Sequence, residues 1–118
     1  FSASGQTLEL FPSNDVLTRL SMPNKTSWVC FYILHASDVS GFFIYETGSV
    51  YLDKLGGVTS ASVPVVISSD NSGGTVTLTF VIDTATDTSQ HRFKITSGGS
   101  GFPQDINANL TLYYTQIR

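Results

Sequence analysis

At 118 residues, with 9 acidic and 6 basic side chains and a formal net charge of -3, the chain is sized for one domain. It lacks the clustered cations that a phosphate backbone demands, because Arg19, Lys25, Lys54, Arg92, Lys94 and Arg118 are scattered along it. No apolar run approaches the ~18 residues of a membrane span, so neither nucleic acid nor membrane insertion is expected. Charged residues make up only 13% of the chain, against roughly 25% in an average globular protein. Their place is taken by 16 Ser and 14 Thr, which suits strands because Thr is β-branched.

Turn-forming residues interrupt every 8 to 13 positions, a spacing that predicts an all-β antiparallel sandwich of about eight strands, jelly-roll-like, in one domain over residues 1–118. The strands are placed at 6–11, 16–22, 26–36, 41–52, 58–67, 75–83, 90–96 and 107–117. The run Thr26-Ser-Trp-Val-Cys-Phe-Tyr-Ile-Leu-His-Ala36 is the most informative. Trp28, Cys30, Tyr32 and Leu34 fall on one face and Val29, Phe31 and Ile33 on the other, so both faces are apolar. An antiparallel strand usually needs only one, and the second face is assigned to a subunit interface. Pro64 lies within the fifth predicted strand and cannot donate to a ladder, which makes that strand an edge or bulged there. Between Thr75 and Ile82, the residues Val76, Leu78, Phe80 and Ile82 oppose a ladder of threonines, giving one core side and one wet side.

Seven reversals of direction would bring both termini to one end and gather four loops (12–15, 37–40, 68–74 and 97–106) at the other. Loops on a rigid scaffold commonly carry binding. Asp38, Asn71, Phe102, Gln104 and Asp105 are therefore the candidate binding residues, Phe102 foremost, since it sits in a Gly-rich loop beside polar neighbours. Catalytic signatures are weak. His35 and His91 lie on strands, no Gly-x-Ser-x-Gly elbow occurs, and Asp83 and Asp87 flank a turn. The loop acids and amides match no calcium-loop spacing, and zinc ligands are lacking. No catalytic residue, metal or cofactor is expected, and Cys30 reads as a small buried hydrophobe. The Asn24-Lys25-Thr26 and Asn109-Leu110-Thr111 sequons carry little weight at this Ser/Thr content.

The stretch Met22-Pro23-Asn24-Lys25-Thr26-Ser27-Trp28, the strand after Gly41 and Gly74-Thr75-Val76-Thr77-Leu78 together resemble the distal β-modules of tailed-bacteriophage tail fibres, spikes and other receptor-binding proteins. His91-Arg92-Phe93-Lys94-Ile95-Thr96-Ser97-Gly98 and the closing Tyr114-Thr115-Gln116 extend the likeness, which runs from about residue 20 to the end. The small fibre heads of animal viruses look similar in size. The resemblance implies a homotrimer, a location on the virion, excision from a longer fibre chain, and recognition of a host-surface glycan or protein receptor through distal loops. Val29, Phe31 and Ile33 would then meet the neighbouring subunits. A module that only trimerises or caps a fibre, and a carbohydrate-binding module of an enzyme, are the alternatives.

Overall fold

The computed structural model describes residues 5–12, 19–38, 41–72, 77–84, 89–100 and 105–118. Their β-branched and aromatic runs form β1 (Thr7–Leu10), β2 (Thr26–Ser37), β3 (Phe43–Leu55), β4 (Val58–Ala61), β5 (Val65–Asn71), β6 (Thr77–Asp83), β7 (Arg92–Gly98) and β8 (Asn107–Gln116). All pairings are antiparallel. A three-stranded sheet runs β1-β7-β6, and a larger sheet runs β4-β3-β2-β8, with β5 also paired to β3. The sandwich expected from the sequence is thus present, with its two layers unequal in width.

The β3–β4 hairpin follows from local chemistry. Gly56 (φ 59°) and Gly57 (φ 77°) form the two-residue turn between Leu55 and Val58, which pair directly. Positive φ at both central positions is what matches the twist of a two-residue hairpin, and only Gly takes it without strain. Downstream, the return strand splits where Pro64 lies. β4 pairs with Leu52 to Leu55, β5 pairs with Ile44 to Ser49, and the register slips between Thr47 and Gly48. Because β2 occupies the other side of β3 along its length, β4 and β5 together make one broken edge, the place a proline can be accommodated.

The core lies between the sheets. Trp28, Cys30, Tyr32, Leu34 and Ala36 from β2 meet Val50 and Leu52 from β3, Leu110 from β8, and Phe80, Phe93 and Ile95 from the smaller sheet. Tyr32 packs on Phe80 with ring centroids 4.7 Å apart, and its hydroxyl donates to Glu46 Oε2 at 2.9 Å. Gly48 sits directly opposite Tyr32 and leaves the space that the ring fills. A Cβ there would lie 2.5 Å from Tyr32 Cζ and from the Val65 carbonyl oxygen.

The strand expected over 16–22 is corrected in its described part. Residues 19–22 form no strand, and 16–18 lie outside the described residues. Leu20 packs against the core and Met22 is buried, while Arg19 forks onto Glu9 at 2.6 and 3.1 Å. An extended segment crossing between sheets can present the same apolar alternation as a strand without joining a ladder. The missing strand changes the parity. Gly5 donates its amide to Ser97 at 2.8 Å, at the end where β7 leaves for β8, whereas Ser27 N bonds the Arg118 carbonyl at the opposite end. The two ends of the described chain therefore lie at opposite ends of the sandwich, contrary to the expectation.

Candidate functional site: the outer face of the larger sheet

The two outer faces are chemically different. On the smaller sheet, register places Thr7 beside Thr96 and Glu9 beside Lys94, with Thr79, Val81 and Asp83 beside Thr96, Lys94 and Arg92. Arg92 forks onto Asp83 at 2.8 and 3.1 Å, and Lys94 Nζ lies 2.6 Å from the same carboxylate. The Arg92 hydrogen bond is the chief reason that the Asp83 carboxyl is held down at about 2. This face is built for water.

The larger sheet turns a different surface outward. Directly paired residues share a face, so the register reads as rows across β3, β2 and β8. From the Ser27 end these are Tyr51–Val29–Thr115, Ser49–Phe31–Tyr113, Thr47–Ile33–Thr111, Tyr45–His35–Asn109 and Phe43–Ser37–Asn107. On the outer edge, β5 adds Val65 beside Ser49, Ser68 beside Thr47 and Asp70 beside Tyr45. Phe31 is 53% exposed, Tyr51 56% and Tyr113 59%. Those rows hold one carboxylate and no Lys or Arg. Charge returns only beyond them, where Ser27 donates to Asp53 and Arg118 reaches both, Ser27 Oγ at 2.5 Å and Asp53 Oδ1 at 3.4 Å.

The residues named from the sequence fall into three groups. Val29, Phe31 and Ile33 do line the face turned away from the core, in the middle of this surface. Asp38 and Asn71 come to one end of it. Asp38 Oδ1 accepts from the Phe42 amide at 3.0 Å, and its own amide donates to the Phe42 carbonyl at 3.2 Å, so this side chain closes the β2–β3 turn. Asn71 pairs with Ile44 and donates its backbone amide to Asp70 Oδ1 at 2.8 Å. Asp105 is exposed just before β8, at the same end, since Asn107 pairs with Ser37. Phe102 and Gln104 lie outside the described residues. Of the four expected loops, those placed at 37–40, 68–74 and 97–106 belong to strands that end here, β2 at Ser37, β5 at Asn71 and β7 at Gly98, whereas the one placed at 12–15 follows β1, which ends at the other.

Sequence reasoning missed Tyr45, His35, Asp70 and Asn109 as a group. Tyr45 and His35 stack at 4.5 Å with an interplanar angle of 16°, and Phe43 tilts against Tyr45 at 5.5 Å. None of the four was among the binding residues expected from the sequence. The row itself needed the register.

Among the described residues, Cys30 and His91 are sealed in the core. Cys30 is buried, and burial pushes its thiol up to about 11. His91 is buried, with Nε2 2.8 Å from the Ser60 carbonyl, and desolvation lowers its pKa. Among the described residues no cluster of three or more His, Cys, Asp or Glu could hold a metal ion. No protein-family model, curated protein or solved structure matches this chain.

Proposed function

We propose that this chain is a non-catalytic module of a homotrimeric viral fibre, most simply a phage tail fibre. Subunits would meet through the aromatic outer face, and the loop end with its adjoining surface would recognise a host-surface glycan or protein receptor. The observation that supports this reading is the contrast between the two outer faces. One carries Thr and an ion network, and the other carries Val29, Phe31, Ile33, Tyr51 and Tyr113 with charge only at its margins. Aromatic side chains bury roughly 150–250 Å² each, so the half-exposed rings of Phe31, Tyr51 and Tyr113 leave on the order of 300 Å² open. With Ile33 and Val65 that approaches ~400 Å², against roughly 800 Å² per partner in a standard interface. The surrounding Thr and Ser would supply the remainder. The threefold count comes from the resemblance to fibre modules.

The sandwich itself offers contact surface rather than reaction chemistry, with its thiol and one histidine sealed in the core. Weak binding at each of three sites would be multiplied by avidity.

Light scattering across a concentration series tests the assembly. A mass near three times 12.7 kDa is expected for the native chain. Phe31→Lys, which places three like charges at the contact, should shift it to 12.7 kDa with the β-rich circular dichroism intact. A native chain that is monomeric at every concentration would refute the trimer and favour an isolated carbohydrate-binding module.

A further inference from the structure

We propose that the two cross-strand rows nearest the loop end form a shallow platform for a neutral pyranose, with the face of the Tyr45 ring turned away from His35 as its stacking surface, Asp70 as the hydrogen-bonding group beside that face, and His35 and Asn109 as the support behind the ring. This deepens the recognition reading above and rests on it.

The register brings the four side chains together. Asp70 is opposite Tyr45, Tyr45 is opposite His35, and His35 is opposite Asn109, so one row crosses four strands in the order β5-β3-β2-β8. At the ~4.8 Å spacing of neighbouring strands the row is roughly 14 Å wide, wider than a single sugar ring. Its neighbour toward the loops continues the pattern, with Phe43 beside Ser37, Ser37 beside Asn107, and Ser72 Oγ accepting from the Phe43 amide at 3.0 Å.

The occupant follows from the chemistry. A pyranose has one face of C–H groups and a rim of hydroxyls, so it needs a flat ring beneath it and carboxylate or amide groups at the ring's edge. His35 stacks on one face of Tyr45 and Phe43 tilts against the ring, which holds it and limits the ordering cost of binding, while the ring stays 44% exposed and leaves its other face, toward the paired Asp70, for the sugar. The Asn71 amide fixes the Asp70 carboxylate at 2.8 Å. These two rows hold a carboxylate and no Lys or Arg, so an acidic sugar is disfavoured and a neutral one fits. The rows farther from the loops contain no acid or amide. They read Thr47–Ile33–Thr111, Ser49–Phe31–Tyr113 and Tyr51–Val29–Thr115, a composition for protein contact. The face therefore divides along its length. A flat platform makes few contacts, so affinity per site is weak, on the order of a millimolar Kd.

Saturation-transfer NMR on the intact assembly provides the test, with the methyl glycosides of glucose, galactose and N-acetylglucosamine, and N-acetylneuraminic acid as the acidic control. At least one neutral glycoside should receive saturation and the acidic sugar none. Tyr45→Ala should abolish the transfer and Asp70→Ala should weaken binding about tenfold, both with unchanged circular dichroism and molar mass. Absence of transfer to all three neutral glycosides, or transfer that survives both substitutions, would overturn the platform. So would a fall in molar mass in Tyr45→Ala, which would make the ring a contact with a second copy. Glycoside binding by a monomeric native chain would leave the platform standing and refute the trimer alone.

Discussion

Replacing Gly48 by Ala probes the tightest packing in the sandwich. The φ of Gly48 is not in the left-handed region that the glycines of the turns occupy, so the effect is one of space. The new methyl would sit 2.5 Å from Tyr32 Cζ and from the Val65 carbonyl oxygen, far inside contact distance. The ring cannot swing freely, because it is buried, packs on Phe80 at 4.7 Å and bonds Glu46 at 2.9 Å. Overpacking of this kind costs roughly 1–3 kcal/mol, and displacing a hydroxyl from a carboxylate adds about 1.5 kcal/mol. The sum, about 3 kcal/mol, corresponds to a fall in Tm on the order of 10 °C for a domain of this size. Differential scanning calorimetry at fixed protein concentration measures it. Combining Gly48→Ala with Tyr32→Leu removes the ring but leaves the Val65 carbonyl in place, so the double variant should recover part of the loss as a coupling energy of about 1 kcal/mol or more. A Tm for Gly48→Ala within about 2 °C of the native value would refute the steric argument.

Acid should weaken the fold in two steps, read from the urea midpoint against pH. Burial lowers the His91 pKa below 6.5, so the unfolded chain binds a proton that the folded chain refuses; stability is complete above pH 6.5 and falls as the pH drops below it, a limb that His91→Gln should erase. Asp83, held at about 2 against an ordinary 3.8 chiefly by Arg92, contributes stability above pH 3.8 that is lost toward pH 2, about 1 kcal/mol once screening at this open site is counted, and Asp83→Asn should flatten that limb. The Cys30 thiol should resist a thiol-specific reagent in native buffer and react fully in denaturant, while Cys30→Ala should cost about 1–2 kcal/mol by urea unfolding. Lys25 holds φ 59°, a strained value for a side-chain residue, so Lys25→Gly should raise the Tm by a few degrees or leave it unchanged; a clear loss would mean that the Lys25 side chain contributes more than its backbone strain costs.

The local elements were legible because their causes are local. A run such as Trp28 to Leu34 has no comfortable conformation but a strand, Gly56-Gly57 supplies the two positive φ angles of a tight turn, and Pro64 marks an edge wherever the strand falls. The alternation of Leu20 and Met22 misled for an equally physical reason. It reports which side faces the core, and a crossing segment satisfies that as well as a paired strand does. The parity argument then inherited the error, placing Gly5 at the wrong end.

The sequence by itself determined the fold class, the doubly apolar strand, the inert Cys30 and the candidacy of Val29, Phe31 and Ile33 as an exposed face. Each depends only on side-chain period and residue chemistry. The tertiary structure alone decided that three strands pack over a larger sheet, that Gly48 must stay small for Tyr32, and that Asp70, Tyr45, His35 and Asn109 share a row. These depend on inter-strand register between residues as far apart as 35 and 109, and register is set by the packing of the whole sandwich rather than by any one strand.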